Sequence, residues 1–364
     1  MLQQLKKDLF RSFIENETKI HELNYLFWEC TLRCNNNCLH CGSDCSKDSS
    51  QHDMPLEDFL SALDTIPEKP ENFTVVLTGG EPLLRKDIEC CGREIRKRGF
   101  RWGMVSNAYL YDKEKHVALL NAGMGALTFS LDGLPQSHNW LRNNNQSFAR
   151  VDRAIDLAVG ASRLNFDIVT CVNQRNIHEL PILYQYLLQK GVKSWRLFTI
   201  TPIGRAVNQP ELFLKNKQFK ELLDFIRLKR KAKAMDVKFS CEGYVGPYEN
   251  KVRDGFFFCR AGINIGSVLN DGSIAACPNI DHAWVQGNIY QDNFYEVWQN
   301  KYQPFRNREW MKTGKCKDCE EFFYCQGNGM HYRRRDDKEV LVCHYEKLTP
   351  MKKFLTKQIV SEQK

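Results

Sequence analysis

The sequence of 364 residues predicts an α/β fold whose parallel strands form an open sheet or a partial barrel, followed by a small cysteine-rich domain. Two observations lead to this prediction. Between Tyr25 and Met235, six short runs of β-branched and aromatic residues alternate with helical segments, which is typical of parallel strands joined by helical crossovers. After Met235, glycines and turn residues become frequent, and six of the 15 cysteines lie at or beyond Cys259. A domain with so thin a core needs bound metal for stability.

The predicted elements follow one another in a regular order. The first 22 residues are a polar amphipathic helix, and strands are predicted at 25–28, 73–77, 102–106, 127–131, 166–172 and 195–200. Helices are predicted after Pro55 and at 87–98, 113–121, 148–161, 177–190 and 216–235. We therefore divide the chain into an N-terminal helical extension (1–22), a strand–helix domain (23–235) and a C-terminal domain (236–364). In parallel α/β folds the chemistry lies at the carboxyl ends of the strands, so residues that directly follow strands are the first candidates for a site.

The charge and hydropathy of the chain exclude several classes of function. There are 52 lysines and arginines against 44 acidic residues, and the resulting charge of +8 is too dispersed to predict a nucleic-acid partner. No apolar run approaches the ~18 residues that cross a bilayer. Residues 1–10 lack the apolar core of a signal peptide. We expect a cytoplasmic protein with no membrane partner.

Cysteine is the unusual component of the composition. A chain without an export signal stays in a reducing compartment, where 15 cysteines, an odd number, do not form a disulfide framework. Five of them lie between Cys30 and Cys45, and clustered cysteines in such a compartment indicate metal or iron–sulfur ligation. We interpret Cys30 and Cys45 themselves as buried or partly exposed thiols that flank the site.

The spacing of Cys34, Cys38 and Cys41 after the first strand favours an iron–sulfur cluster over zinc. Three thiolates from one loop hold three irons of a 4Fe–4S cluster and leave the fourth iron open, which is the arrangement that catalysis needs. A zinc site would require paired two-cysteine clips or histidines at matching spacing. His40 lies between two of the cysteines, where we expect it to point away from the metal.

With Gly79-Gly80-Glu81-Pro82 directly after the second strand, this cysteine loop resembles the radical S-adenosylmethionine (SAM) superfamily. The resemblance covers the chain from about Tyr25 to Cys343 and implies a partial (β/α)6 barrel of the TIM type. It also implies that the three cysteines of the loop bind a 4Fe–4S cluster, whose open iron is chelated by the amino and carboxylate groups of SAM.

The same resemblance implies which residues contact SAM. Glycines allow close approach of the backbone, and an arginine fits the planar recognition of a carboxylate. The implied contacts are made by Gly79, Gly80, Glu81 and Pro82 to the amino group, by Ser130 near the ribose or methionine, by Arg142 to the carboxylate, and by Asn107 and Ile203 along the cofactor. The alternatives are an ordinary strand-end carboxylate for Glu81 and a solvated surface side chain for Arg142.

The later cysteines resemble the SPASM domain, which carries auxiliary iron–sulfur clusters in enzymes that modify peptides and proteins. Its pattern has seven cysteines, and Gly329 stands here where the pattern has one of them. The resemblance implies a complete 4Fe–4S site formed by Cys316, Cys319, Cys325 and Cys343, and a half-liganded site formed by Cys259 and Cys277. We therefore expect one auxiliary cluster, while Cys241, His331 or His344 could complete a second one. A zinc ribbon or structural cysteines are the alternatives.

The two resemblances together imply a function. Such an enzyme reductively cleaves SAM to a 5′-deoxyadenosyl radical, which abstracts a hydrogen atom from a peptide or protein substrate to install a modification. Its electrons come from an external reductant of the flavodoxin or ferredoxin type. The alternatives are a radical enzyme acting on a small molecule such as a carbohydrate, and a binding module without catalysis, against which the intact cysteine loop argues. Anaerobic sulfatase-maturing enzymes are similar in layout but carry an aspartate where this chain has Pro278, so we identify no catalytic base.

Overall fold

Ten strands form one continuous sheet in the computed structural model of the protein, which describes residues 2–47, 49, 51–67, 70–335 and 340–349. The strands are β1 (Tyr25–Thr31), β2 (Thr74–Gly79), β3 (Arg101–Ser106), β4 (Met124–Ser130), β5 (Asn165–Val172), β6 (Ser194–Thr199), β7 (Asp236–Phe239), β8 (Ile265–Val268), β9 (Ser273–Ala275) and β10 (Gly287–Asn288). Their order across the sheet is β10-β9-β8-β1-β2-β3-β4-β5-β6-β7. Neighbours from β8 through β1 to β7 are parallel, and β9 and β10 add antiparallel pairs at one edge. An α/β fold dominated by parallel strands is thereby confirmed.

Helices connect the parallel strands. Within the described residues they are α1 (Leu2–Ile20), α2 (Leu56–Asp64), α3 (Ile88–Lys97), α4 (Lys113–Asn121), α5 (Pro135–Arg142), α6 (Ser147–Val159), α7 (Leu180–Gln189), α8 (Asn216–Ala232), α9 (Phe294–Asn300), α10 (Gln303–Arg306), α11 (Phe322–Cys325) and α12 (His344–Leu348). Helices α2 to α8 lie between β1 and β7, as crossover connections of parallel strands require. Residues 350–364, the end of the predicted C-terminal domain, lie outside the described residues.

All six predicted strands are present, and the structure adds elements that the sequence analysis missed: α5, β7 and, later in the chain, β8 to β10 and α9 to α12. Helix α5 begins with Pro135, whose missing N–H would have no partner there, and ends at Asn143 in the left-handed conformation with a φ of 48°. Strand β7 begins at Asp236, the first residue of the predicted C-terminal domain, and pairs in parallel with β6. The sheet therefore continues across the predicted boundary, and the division into domains stays a prediction.

Large aromatic side chains hold the helices on the sheet. Trp28 of β1 is fully buried and stacks on Phe59 of α2, with ring centroids 4.1 Å apart and planes 2° from parallel. Trp102 of β3 packs on α3 so tightly that a side-chain carbon at Gly92 would lie 2.2 Å from the indole ring. Because this packing fixes the helices, it also fixes the loops at the carboxyl ends of the strands, which carry the candidate site.

Helix α1 packs on the C-terminal part of the chain. Phe10 contacts Phe256 with ring centroids 5.4 Å apart, and Lys7 pairs with Glu321 at 3.2 Å. Ile14 is 3% exposed, whereas Leu5, Leu9 and Phe13 are exposed by 54%, 63% and 40%, so the apolar residues of the helix are only partly covered. None of the helices that the structure describes is long and apolar enough to cross a bilayer.

Candidate functional site

The loops at the carboxyl ends of the parallel strands enclose a cavity of about 310 Å³. All three cysteines of the loop after β1, Cys34, Cys38 and Cys41, line it. The other predicted site residues that line it are Gly79, Gly80, Asn107, Ser130, Arg142 and Ile203. Glu81 and Pro82 are buried and do not line it. The tertiary structure thus brings most of the predicted SAM-binding residues to one cavity.

The glycine pair after β2 clamps the start of the cysteine loop. The backbone N–H of Gly80 donates to the carbonyl of Thr31 at 2.8 Å. A side-chain carbon at Gly79 would lie 2.1 Å from that same carbonyl oxygen, and one at Gly80 would lie 2.2 Å from the carbonyl oxygen of Arg33. The close approach that requires glycine here is therefore made to the chain's own loop, one residue before the first cysteine.

Glu81 has a structural task that the sequence analysis did not predict. Its fully buried carboxylate accepts hydrogen bonds from the hydroxyl of Ser106 at 2.8 Å, the backbone N–H of Asn107 at 2.7 Å and that of Leu83 at 3.2 Å. Burial raises the pKa of Glu81 to about 7, although these hydrogen bonds oppose the shift. The side chain ties the end of β2 to the end of β3. Pro82 opens the turn that follows.

The three cysteines are arranged for a cluster and not for a single ion. Around one zinc ion, Zn–S bonds of about 2.3 Å would bring the sulfurs about 3.8 Å from one another. Among the described residues, the only group of three metal-binding side chains with all ligand atoms within 4.8 Å is His40, Asp132 and Cys171. The three predicted ligands are therefore more widely spaced than zinc requires, and a donor set of three thiols around a cavity fits a 4Fe–4S cluster with one open iron.

Burial is the main influence on two thiols of the loop. It raises the pKa of Cys34 to about 12 and also raises the pKa of Cys38. Cys41 differs, because a hydrogen bond with the thiol of Cys45 lowers its pKa to about 6. Cys45, which the sequence analysis treated as a flanking thiol, is therefore in contact with a predicted ligand and lines the same cavity.

Arg142, at the end of α5, is 8% exposed and is not the solvated surface residue of the alternative interpretation. Its Nε donates to the carboxylate of Asp132 at 2.6 Å, and its Nη1 lies 3.7 Å from the sulfur of Cys38. Burial opposes the ionisation of Asp132, yet the guanidinium of Arg142 holds the pKa of that carboxyl below its usual range. Asp132 also accepts the backbone N–H of Cys171 at 2.9 Å, so the arginine is fixed at the cavity wall.

Asn107 and Arg205 attach the cysteine loop to other strand ends. The amide of Asn107 donates to the side chain of Asn35 inside the loop at 2.8 Å. Arg205 donates from Nε to the carbonyl of Cys38 at 2.8 Å and from its backbone N–H to the carbonyl of Cys41 at 3.0 Å. No role was predicted for Arg205 from the sequence, although it is a polar residue in the loop after β6. The loop is thus held from both sides.

Three further residues at the cavity were missed or misplaced. His40, which was expected to point away, lines the cavity with the cysteines, and burial lowers its pKa to about 4. Cys171, on β5, lines it as well. Glu242 reaches it from the residues after β7 and accepts hydrogen bonds from Thr199 and Tyr332, both at 2.6 Å. Glu242 was not predicted as a site residue because β7, the short strand before it, was not recognised in the sequence.

The four cysteines of the predicted complete auxiliary site are brought together. Burial raises the pKa of Cys325, and the nearby thiols of Cys343, Cys316 and Cys319 raise it further. Arg333 is 1% exposed and donates from Nη2 to the sulfur of Cys316 at 3.0 Å. Four thiols with a charged hydrogen-bond donor fit a closed 4Fe–4S site.

The half-liganded site has a third cysteine close by. Burial raises the pKa of Cys277 to about 12, and the thiols of Cys241 and Cys259 contribute to that rise. Cys241 is exposed, yet the protein around it raises the pKa of its thiol, a combination expected at the wall of a cleft. Of the substitutes that the sequence left open, Cys241 interacts electrostatically with both Cys259 and Cys277.

A second cavity, of about 560 Å³, adjoins the first. Gly42, Ser43 and Ile203 line both cavities, and Pro278 and His331 contribute walls from the C-terminal part of the chain. Burial lowers the pKa of His331 to about 4, so its imidazole is neutral at neutral pH. A space of this size beside the predicted SAM site can hold a group of a substrate.

Known proteins share both the sequence pattern and the fold. A model of the radical SAM superfamily matches residues 28–187, and a model of the SPASM iron–sulfur cluster-binding domain matches residues 259–320. An AdoMet-dependent heme synthase of Nitratidesulfovibrio vulgaris is 25% identical over 318 residues, covering 82% of this chain and 85% of that protein. The mycofactocin maturase MftC of Mycolicibacterium smegmatis is 26% identical over 310 residues, covering 84% of this chain and 77% of that protein.

Solved structures share the architecture at lower sequence identity. Native anSMEcpe with bound AdoMet and Cp18Cys peptide has a TM-score of 0.68 at 21% identity, covering 88% of this chain and 92% of that chain. Streptococcus suis SuiB bound to its precursor peptide SuiA has a TM-score of 0.63 at 16% identity, covering 85% and 73%. These similarities confirm the predicted partial barrel with a C-terminal cysteine-rich region.

Proposed function

Because the chain belongs to the radical SAM superfamily and carries a SPASM domain, we propose that it is a radical SAM enzyme that modifies a peptide or protein substrate. The observation that carries this proposal is the convergence of three cysteines, a glycine pair and Arg142 on one cavity of about 310 Å³. Three thiolates beside an enclosed space suit a cluster with an open iron and a ligand bound to it.

Cys34, Cys38 and Cys41 would hold the SAM cluster, and the rest of the chain holds these cysteines in place. When bound, the cluster and SAM supply a one-electron reductive cleavage that yields a 5′-deoxyadenosyl radical, which removes a hydrogen atom from the substrate. Arg205 fixes the carbonyl groups of two of the cysteines. The glycine pair fixes the start of the loop, so the ligand geometry exists before the cluster binds.

The side chains around the cavity would orient SAM and exclude water. The guanidinium of Arg142 is already held by Asp132, so it is preorganised to receive the SAM carboxylate. Asn107 and Ser130 offer polar groups along the cavity, and Ile203 offers an apolar one. An enclosed wall of this kind keeps water from a reactive species.

The adjoining cavity of about 560 Å³ would hold the substrate group that reacts. Support for a peptide comes from the SPASM domain and from the maturase relative, whose name states that it matures mycofactocin. The second candidate is a small-molecule substrate, because heme synthases are 25% identical to this chain over 82% of its length. The small molecule would then be a tetrapyrrole, and not the carbohydrate that was given as an example from the sequence alone.

Cys316, Cys319, Cys325 and Cys343 would hold an auxiliary cluster that passes electrons and organises the C-terminal part of the chain. Electrons would enter from an external one-electron donor of the flavodoxin or ferredoxin type. A groove of about 820 Å³ that includes Cys343 and several lysines supports this, because such donors are acidic and the groove is basic.

The proposal is tested with anaerobically reconstituted protein, SAM and a strong reductant, and 5′-deoxyadenosine is measured by mass spectrometry. We expect cleavage in the unmodified protein and none after Cys34→Ala, Cys38→Ala or Cys41→Ala, because each change removes a ligand from the cluster with the open iron. Cys90→Ala, at a cysteine outside the cavity, is the matched control and should cleave SAM normally. Full activity in any of the three loop variants would exclude the assignment.

The substrate class is decided with the same preparation. Candidate precursor peptides and an iron-bearing tetrapyrrole are each added, and the substrate mass is followed together with 5′-deoxyadenosine. A mass change in a peptide that depends on SAM supports the peptide proposal. Turnover of the tetrapyrrole with no peptide turnover would replace it with the second candidate.

A further inference from the structure

We propose that His331 replaces the missing cysteine at position 329 and, with Cys241, Cys259 and Cys277, completes a second auxiliary iron–sulfur site. This inference rests on the proposed function, because it takes the SPASM region to be a holder of iron–sulfur clusters. It goes beyond the two-cluster expectation of the sequence, in which the site at Cys259 and Cys277 stayed incomplete.

The position of the His331 ring is the observation that carries the inference. A side-chain carbon placed on Gly329 would lie 2.7 Å from Cε1 and 3.0 Å from Nδ1 of His331. These distances are shorter than ordinary contacts, so the imidazole occupies the space that a cysteine side chain at 329 would need. The ring therefore stands at the place from which the missing thiol would reach the cluster.

The backbone around Gly329 brings Cys241 to the same place. The carbonyl oxygen of Glu242, the residue after Cys241, lies 3.0 Å from the same side-chain position on Gly329. The backbone N–H of Tyr244 donates to the side chain of Asn328 at 3.2 Å. The segment that follows β7 and the segment before His331 are therefore packed directly on each other.

The remaining two proposed ligands are Cys259 and Cys277. The SPASM resemblance assigns Cys259 and Cys277 to one site. Pro278, directly after Cys277, lines the same cavity wall as His331. Cys277 is therefore the direct chain neighbour of a residue in the cavity that His331 lines.

The structure argues against His344, the other histidine that the sequence left open. Its Nδ1 lies 3.3 Å from the amide nitrogen of Asn328, its Nε2 lies 3.4 Å from the hydroxyl of Thr199, and its ring packs on Phe219 with centroids 5.3 Å apart. Both of its nitrogens are used within the core. Within the part of the chain that the structure describes, neither nitrogen of His331 makes a hydrogen bond, so a lone pair is available for iron.

Histidine ligation has a measurable consequence. Replacing thiolate by neutral imidazole makes the cluster less negative and raises its reduction potential, as in clusters in which histidines replace cysteines. We therefore expect this site to accept electrons more readily than the four-cysteine site at Cys316, and nitrogen to be detectable on its iron.

The test uses the full chain with Cys34, Cys38 and Cys41 all replaced by Ala, reconstituted anaerobically without SAM and labelled with [15N]histidine. We expect about eight irons per chain, from two clusters of four, and a 15N coupling in the pulsed EPR spectrum of one reduced cluster. His331→Ala should abolish the coupling. His282→Ala is the matched control, because His282 lines the same cavity but is 65% exposed and pairs with Asp271, and it should leave the coupling unchanged.

A rescue variant separates ligation from a packing role. Gly329→Cys combined with His331→Ala returns the cysteine of the family pattern and empties the space that its side chain needs. This variant should keep about eight irons, show no 15N coupling, and have a more negative potential at that cluster than the parent. If His331 only supported the fold, the rescue would leave the potential unchanged.

Several results would overturn the inference. About four irons in the triple-Ala parent, two clusters with no 15N coupling, or a coupling that survives His331→Ala would each exclude His331 as a ligand. Failure of the proposed function gives a different result. If Cys34, Cys38 and Cys41 hold no cluster, the unmodified protein will contain no more iron than the triple-Ala variant.

Discussion

The contacts of Arg142 indicate its role at this site. It is held by Asp132 at 2.6 Å and lies 3.7 Å from the sulfur of Cys38, so it joins the wall of the cavity to the cysteine loop. A guanidinium can keep one edge on Asp132 and present another edge to a carboxylate, whereas an ammonium is a point charge.

Arg142→Lys should weaken SAM binding about 10- to 100-fold, which corresponds to the loss of a charged hydrogen bond of about 1.5–3 kcal/mol. The dissociation constant of SAM is measured anaerobically with the reconstituted protein. Arg153→Lys, at an exposed arginine of α6, is the control and should bind normally. An unchanged constant in Arg142→Lys would remove this residue from the SAM site.

Arg333 is a second buried arginine that contacts the sulfur of a predicted cluster ligand. Its Nη2 donates to the sulfur of Cys316 at 3.0 Å, and hydrogen bonds to cluster sulfurs raise the reduction potential. Arg333→Met should therefore make the potential of the auxiliary cluster more negative, on the order of 50 mV or about 1 kcal/mol. The measurement is an EPR-monitored redox titration. Arg335→Met, at an exposed arginine, should cause no shift, and an equal shift in both variants would contradict the assignment.

At the scale of elements, the turn after β2 determines where the cysteine loop begins. A side-chain carbon at Gly80 would lie 2.2 Å from the carbonyl oxygen of Arg33, and backbone cannot move aside as a flexible side chain can. Gly80→Ala should therefore displace the loop, lower the iron content of the SAM site and cost about 2–4 kcal/mol of unfolding free energy. Gly125→Ala, where the nearest atom would be 3.9 Å away, is the control. Equal iron and stability in the two variants would show that the clamp is not needed.

Helix α5 is anchored by a neutral buried histidine. Nδ1 of His138 accepts the backbone N–H of Asp132 at 3.0 Å, and Nε2 contacts the hydroxyl of Ser147 at 2.9 Å. Burial lowers the pKa of His138 to about 3, although the charge of Asp132 opposes this shift. In the unfolded chain the pKa is about 6.5, so below that pH the unfolded state gains a proton that the folded state does not take up.

The free energy of unfolding should consequently fall as the pH falls below about 6.5. His138 alone should lower it by about 1.4 kcal/mol at pH 5.5. Urea unfolding of cluster-free protein at pH 7.5 and 5.5 measures the loss. His138→Asn should reduce the difference between the two pH values by about that amount, whereas His178→Asn, at an exposed position, should leave it as it is. The same difference in His138→Asn and in the unmodified protein would refute the assignment.

At the scale of the whole molecule, one ligand of the predicted auxiliary cluster lies in a groove that carries four lysines and one glutamate. The groove of about 820 Å³ is lined by Cys343 and by Lys217, Lys220, Lys315 and Lys347. Positive charge beside a cluster ligand would steer an acidic electron donor toward the cluster.

Lys217→Glu with Lys220→Glu should therefore slow reduction by a flavodoxin-type donor several-fold at low ionic strength, and the difference should shrink as salt screens the charges. Stopped-flow reduction of the auxiliary cluster measures the rate. Lys231→Glu with Lys233→Glu changes the net charge equally at the far end of α8 and serves as the control. Equal slowing in both pairs would assign the effect to net charge alone.

The sequence by itself determined the features that are local along the chain. The spacing of Cys34, Cys38 and Cys41 and the glycine pair after β2 are contiguous patterns, and the six strands follow from short apolar runs, so none of these needs a distant partner to be recognised. The elements that were not predicted are α5, which is polar and short, β7, which has four residues, and the short elements after it, β8 to β10 and α9 to α12.

Only the tertiary structure decided which distant residues meet. The inward-facing carboxylate of Glu81, the contact of Arg333 with Cys316, and the place of His331 over Gly329 beside the segment after Cys241 all depend on how separate segments pack. Pairing of this kind is set by the shape and burial of the whole core, in which each contact depends on many others, and no spacing along the chain encodes it. The sequence therefore showed that a ligand was missing at position 329, and the folded chain indicated what stands in its place.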